Sequence, residues 1–241
     1  MPPIIARANR NHAGAASIAG SRAAPARYLA IVALVVVGIG AASSVYELRR
    51  EHAIATAQEQ LLASVQFTAR RGLPLGPPPP LNLAQPPRAL LLDAQLYLNQ
   101  VPFAQDAADK RRLLSMAQRM IAAALAGRPG WGEAEALEAY LQSLKGSEGK
   151  VAAQRALVRS YDHMPYMREA AAWRIRYGLA QWGALPDATQ RRIVDEAIWF
   201  VRLRPEQRDS IFAAVRATPA YFPFMLRWRT VRAFDADRLP N

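Results

Sequence analysis

Residues 28–46 read YLAIVALVVVGIGAASSVY, an uncharged run between Arg27 and Glu47. As an α-helix rising about 1.5 Å per residue, this run spans roughly 28 Å, close to the ~30 Å hydrocarbon core of a bilayer. We therefore predict a transmembrane helix at residues 28–46. The side of the membrane on which the remaining chain lies then decides its function.

The residues on either side of this run indicate the orientation of the helix. Residues 1–27 contain four arginines and no acidic residue, and they are rich in Ala, Gly and Ser, which is typical of a disordered basic tail. Beyond the run, Arg49 and Arg50 are flanked by Glu47 and Glu51. Since basic residues are retained on the cytoplasmic side, we predict a cytoplasmic N-terminus and a periplasmic bulk, held in a bacterial inner membrane.

A cleaved signal peptide is the alternative interpretation of the same run. Its apolar core would extend over residues 29–37, followed by the small residues Ala41, Ala42 and Ser43. The leading region is long for a signal peptide, and the apolar run continues past this cleavage site. An uncleaved anchor therefore fits the sequence better.

Two segments separate the predicted anchor from the rest of the chain. Residues 47–71 favour a juxtamembrane helix, with Leu48 and Leu62 among apolar residues at heptad spacing. Residues 72–87, GLPLGPPPPLNLAQPP, contain seven prolines. Because proline fixes φ and lacks an N–H, this segment predicts a stiff spacer before an exported domain at 88–241.

The domain at 88–241 shows one helical pattern after another and no alternating strand pattern. Apolar stripes predict helices at about 107–126, 131–144 and 151–161, separated by Gly and Pro signals. Pro165 is predicted to open the next helix. The fold class is therefore all-α, as a helical repeat or as an irregular helical bundle.

The stretch GRPGWGEAEALEAYLQSLKG, residues 127–146, resembles the junction between two tetratricopeptide units. Aligning Pro129 with Pro165 gives an offset of 36 residues, near the ~34-residue period of that repeat. The resemblance covers residues 88–203 and implies stacked helical hairpins that bind protein partners. The later helices depart from the small-residue pattern of the repeat, which keeps the irregular bundle open.

Residues 173–205, WRIRYGLAQWGALPDATQRRIVDEAIWFVRLRP, resemble the helical tail of bacterial proteins that accompany O-antigen or exopolysaccharide polymerases and ligases. Trp173, Trp182, Leu185, Pro186 and the Arg191/Arg192 pair carry this resemblance. It implies an accessory role in envelope polysaccharide assembly or export, and it carries no active-site residue to this chain.

Few residues suggest catalysis. The chain has no cysteine, and its histidines are His12, His52 and His163, so neither a metal site nor a cofactor is expected. Glu133, Glu135 and Glu138 cluster at the start of a predicted helix, where the helix dipole favours negative charge. A glycan-acting enzyme that uses these carboxylates is the alternative function.

The basic and aromatic C-terminal part supplies the candidate binding residues. Residues 150–241 carry a net charge of +7 of the chain's +12. Arginine binds carboxylate or phosphate through a planar fork, and aromatic faces stack on sugars and cations, which suits an anionic glycan or lipid. The candidates are Arg174, Arg176, Tyr177, Trp182, Arg191, Arg192, Arg227, Trp228 and Arg229.

Taken together, these patterns predict a non-catalytic scaffold anchored by a single membrane span. We expect protein partners, among them polysaccharide polymerase or export components, and we do not expect nucleic acid as a partner of an exported domain.

Overall fold

A computed structural model describes residues 23–74, 76 and 78–236. Every regular element in these ranges is helical, so the all-α prediction is confirmed. The α-helices are α1 (Ala23–Arg71), α2 (Pro87–Gln100), α3 (Ala107–Gly127), α4 (Gly132–Ser143), α5 (Lys150–His163), α6 (Ala171–Ala180), α7 (Asp187–Leu203), α8 (Arg208–Arg216) and α9 (Tyr221–Ala236). Short 3₁₀ turns follow α2, α6 and α7, at Val101–Phe103, Trp182–Ala184 and Pro205–Gln207. The predicted tail at 1–27 lies largely outside the described residues.

The chain divides into two compact units, residues 1–51 and residues 52–241. The first unit contains the apolar run, and α1 is long and apolar enough to cross a membrane. The described side chains of this run are exposed throughout, Leu34 for example at 76 %. Apolar side chains without protein contacts are what a helix surrounded by lipid acyl chains requires.

The second unit begins with the C-terminal part of α1, where Ala57 packs against Ala89 and Leu92, and continues with helical hairpins. In the α2–α3 pair, Gly127 at the end of α3 lies against Pro87 at the start of α2, so the two helices run antiparallel. In the α4–α5 pair, Glu135 near the start of α4 contacts His163 at the end of α5. In the α6–α7 pair, Gly178 near the end of α6 lies against Ile193 in the first half of α7. Short connections favour this antiparallel arrangement.

Two apolar cores hold the second unit together. The first lies between α2, α3 and α4 and includes Leu98, Met120 and Leu141. The second lies between α5, α6, α7, α8 and α9 and includes Leu157 and Ile193. Apolar burial at about 25 cal/mol per Å² is the main stabilising contribution in both cores.

The helix bounds agree with the sequence signals where those signals are local. Asp106 caps α3, since its side chain accepts a hydrogen bond from the Asp109 amide at 2.7 Å. The helix expected from Pro165 begins instead at Ala171, because residues 164–170 form a turn. Measured from Pro87, Gly132 and Ala171, successive first helices start 45 and 39 residues apart rather than at a constant 36.

The proline-rich segment contacts α2. The Tyr97 hydroxyl donates to the Pro79 carbonyl at 2.6 Å, and the Gln100 amide donates to the Gly76 carbonyl at 2.6 Å. Leu81 packs against the first core. The described residues of this segment therefore lie along α2, while the stiff spacer stays a prediction for the segment as a whole.

Candidate functional site

A groove of about 330 Å³ lies across the first helices of the three hairpins, and we call it the α2/α4/α6 groove. It is lined by Leu91, Leu92, Gln95, Asn99, Glu133, Ala136, Leu137, Tyr140, Met167, Glu169, Ala170 and Trp173. Helices α2 and α4 each contribute four lining residues, and the third hairpin contributes Trp173 of α6 together with three residues of the segment before it. The groove therefore forms only where the three hairpins pack side by side.

The floor of the groove is apolar and aromatic. Tyr140 and Trp173 meet edge to face, with ring centroids 5.4 Å apart. Tyr177 then stacks on Trp173 at 5.1 Å, which fixes the indole from its other side. Burial raises the pKa of the Tyr177 hydroxyl, so this ring stays neutral. Rings held in this way offer a preformed apolar contact at little entropic cost.

Polar groups lie along the rim. Gln95 and Asn99 are one turn apart on α2, so their amides point along the same face, where they can pair with the backbone of an extended chain. Glu133 forms an ion pair with Arg88, whereas Glu169 is exposed on the turn before α6. The rim therefore carries amides together with one exposed carboxylate.

The three glutamates considered for catalysis do not converge on one point. Glu133 lines the groove, whereas Glu135 and Glu138 face α5. The Arg159 guanidinium donates to Glu135 at 3.3 Å and to Glu138 at 2.8 Å, and the His163 Nδ1 lies 2.7 Å from Glu135. These contacts tie α4 to α5. Glu133, Glu135 and Glu138 therefore do not form one shared carboxylate site, and the glycan-acting enzyme stays a prediction.

Arg174 is the candidate binding residue that the structure places farthest from solvent. Its side chain is fully buried, and its Nη2 donates to Glu196 at 2.8 Å. The guanidinium also donates to the Ser160 hydroxyl and to the carbonyls of Met164 and Pro165. All of this side chain's polar groups are engaged by protein, so Arg174 holds α6 to α5 and α7 and is not a ligand contact.

Glu196 completes this buried network, which we call the Arg174–Glu196 network. It accepts hydrogen bonds from the Tyr161 hydroxyl at 2.6 Å and from the Met167 amide at 3.0 Å. Burial raises the pKa of Glu196 to about 7, against the lowering effect of Arg174 and the hydrogen bonds. Burial also raises the pKa of Tyr161 well above its usual value, so its hydroxyl remains a donor. The network joins α5, α6 and α7.

Four other candidate residues are spread over different contacts. Arg176 donates to the Ser210 hydroxyl at 2.8 Å, and Arg192 pairs with Asp162. Trp228 packs against Phe212 and Phe224 in the second core, while Arg229 is exposed on α9. These contacts do not form a common surface.

The remaining candidates do meet, in a second groove of about 630 Å³ between α7 and α9. Trp182, Arg191 and Arg227 line it together. Two carboxylates lie there as well, and one of them, Asp195, accepts from the Arg227 Nε at 3.0 Å. The groove therefore carries two arginines together with two aspartates, and anion binding there stays a prediction.

No sequence pattern pointed to the α2/α4/α6 groove. Gln95 is an exposed polar position within the otherwise buried stretch of α2, which is the local signal that was present. The described residues contain no cluster of His, Asp and Glu that could hold a metal ion. No protein-family model, no curated protein and no solved structure matches this chain.

Proposed function

We propose that this chain is a membrane-anchored scaffold whose α2/α4/α6 groove binds an extended segment of a partner protein. The observation that carries the proposal is the convergence of three first helices on one groove with an aromatic floor and an amide rim. Apolar side chains of the segment would contact Leu137, Tyr140 and Trp173, while its backbone would pair with Gln95 and Asn99. Helical-hairpin arrays bind extended partners in this manner.

The charge of the rim indicates the character of the segment. Glu169 is exposed, and Glu133 already has Arg88 as its partner, so the groove favours a segment with a basic residue opposite Glu169.

The partner class and the compartment belong to the same proposal. The positive-inside bias of the sequence supports a cytoplasmic N-terminus, an inner-membrane span and a periplasmic second unit. The sequence resemblance at residues 173–205 supports partners from envelope polysaccharide polymerisation or export. No cofactor enters this function.

Photo-cross-linking in membranes tests the proposal directly. A photoreactive residue at Gln95 of the full-length chain should give a discrete protein adduct, and Glu169→Arg should abolish that adduct by charge reversal. The matched control is the same photoreactive residue at Gln105, an exposed glutamine before α3 that does not line the groove. Equal adducts from both positions, or none from Gln95, would contradict binding in the groove.

The identity of the adduct tests the partner class. A polysaccharide polymerase or export protein, cross-linked through an extended segment, supports the accessory role. An unrelated membrane protein cross-linked through the same groove would retain the scaffold and remove the polysaccharide assignment.

A further inference from the structure

The exposed face of α9 is unusual for a helix of the second unit, because large apolar side chains point away from the core. Phe222 is 76 % exposed, Leu226 is 62 % exposed and Tyr221 is 43 % exposed. Phe222 and Leu226 are one turn apart and therefore share a face. The opposite side of α9 is anchored, since Phe224 is buried in the second core.

Basic residues accompany this apolar face. Arg227 and Arg229 are exposed on the same helix, and the sequence of α9 holds three arginines and one aspartate. Leu226 and Arg227 also line the second groove beside Trp182 and Arg191. The resulting patch, which we call the α9 patch, consists of Tyr221, Phe222, Leu226, Arg227 and Arg229.

We infer that the α9 patch docks on the surface of an anionic bilayer. The apolar side chains would enter the boundary between headgroups and acyl chains, and Arg229 would pair with a lipid phosphate, whereas Arg227 keeps its ion pair with Asp195. Charge complementarity favours a lipid surface, because the exposed Arg229 beside the exposed Phe222 and Leu226 matches negatively charged headgroups over acyl chains. The same chain carries a helix long and apolar enough to cross a membrane, and such an anchor would hold the chain at a bilayer.

The inference is independent of the α2/α4/α6 groove. Docking of α9 would restrict the motion of the second unit relative to the bilayer, whatever the groove binds. A loss of groove binding therefore leaves this inference standing, and the reverse also holds.

Site-specific fluorescence on the full chain tests the docking. The chain contains no cysteine, so a single cysteine at Phe222 or at Leu226 can carry an environment-sensitive NBD label without a background signal. In vesicles of phosphatidylcholine and phosphatidylglycerol, we expect a several-fold rise and a blue shift of NBD emission, together with quenching by spin-labelled lipid. Val151 on α5 is the matched control position, since it is also apolar and is 57 % exposed.

The lipid dependence separates docking from other occupants of the patch. The expected signal is weaker in phosphatidylcholine alone, and Arg229→Gln should weaken it in the anionic vesicles. Equal emission from labels at Phe222 and Val151, or equal emission in the two types of vesicle, would overturn the inference. A signal that spin-labelled lipid does not quench and that grows with protein density would also overturn it, because a second copy would then cover the patch.

Discussion

In the α2–α3 hairpin the helices meet through aliphatic side chains such as Leu98 and Met120, whereas in the α6–α7 hairpin a buried arginine and glutamate face each other. Both hairpins are antiparallel, and both bring a glycine against the partner helix. Apolar contacts are non-directional, so they stabilise several relative positions of two helices. A buried ion pair satisfies its hydrogen bonds in one position only, so the Arg174–Glu196 network sets the register of α6 and α7 as well as contributing to their packing.

Removing Arg174 should have the largest effect on the difference between the apolar α2–α3 contact and the ion-paired α6–α7 contact. Arg174→Met would leave Glu196 buried without its cation, and we expect the free energy of unfolding to fall by about 3–5 kcal/mol. The measurement is urea unfolding of the full chain in detergent, followed by tryptophan fluorescence and circular dichroism.

The double variant Arg174→Met/Glu196→Leu tests whether the unpaired charge of Glu196 causes the loss of stability. Because it removes both charges, part of the lost stability should return. A double variant as unstable as the single one would show that the hydrogen bonds to the Met164 and Pro165 carbonyls, rather than the unpaired charge, dominate the loss.

The two glycines sharpen the comparison at matched positions. A Cβ at Gly178 would lie 2.5 Å from the Ile193 Cδ1, inside the second core, so Gly178→Ala should cost about 1–3 kcal/mol through overpacking. A Cβ at Gly127 would lie 2.8 Å from the Cγ of Pro87, whose ring is half-buried at the start of α2 and not enclosed in a core. The higher helix propensity of Ala, worth up to about 1 kcal/mol, should then leave Gly127→Ala close to neutral. Thermal unfolding of both variants in one buffer measures the difference, and equal losses would contradict it.

Tyr97 links the α2–α3 hairpin to the proline-rich segment. Tyr97→Phe keeps the ring in the first core but removes the hydrogen bond to the Pro79 carbonyl, so we expect a loss of about 0.5–1.5 kcal/mol. Hydrogen exchange should rise at the amides of residues 81–85 and stay unchanged in α3. Tyr166→Phe is the matched control, because the contact of Tyr166 is with the Trp199 ring and is retained. Unchanged exchange in the proline-rich segment would show that Leu81, and not Tyr97, holds it.

The two hairpins also differ in how far the sequence predicts them. The bounds of α3 follow from neighbouring residues, the cap Asp106 at one end and Gly127 and Pro129 at the other, so the predicted and observed helices nearly coincide. The role of Arg174 depends on Glu196, which is distant in the sequence, and composition alone assigned this arginine to the surface. A local signal did exist, since Ala171, Arg174, Ile175 and Gly178 form one buried helical stripe.

The α2/α4/α6 groove likewise depends on contacts between residues that are distant in the sequence, so local patterns did not predict it. Its residues come from three helices, and their convergence depends on hairpin packing that no single stretch encodes. The carboxylates that looked like one cluster, Glu133, Glu135 and Glu138, are divided between the groove and α5 once the helix rotates them apart. Three glutamates that lie close together in the sequence therefore do not share one site in the fold.

The smallest expected effect concerns Asp93, the buried carboxyl of α2, and it contrasts with Glu196. Burial raises the pKa of Asp93 above its ordinary value of 3.8, and a hydrogen bond from the Gln85 amide only partly offsets this. The folded protein then binds the proton more tightly than the unfolded chain, so the stability that Asp93 contributes is complete below about pH 4 and is lost as pH rises through the raised pKa. Asp93→Asn should therefore raise the melting temperature at about pH 7. The difference in melting temperature between the variant and the parent protein should disappear at about pH 4. The exposed Asp209→Asn is the control, and a destabilising Asp93→Asn near neutral pH would show that the ionised carboxylate of Asp93 is needed.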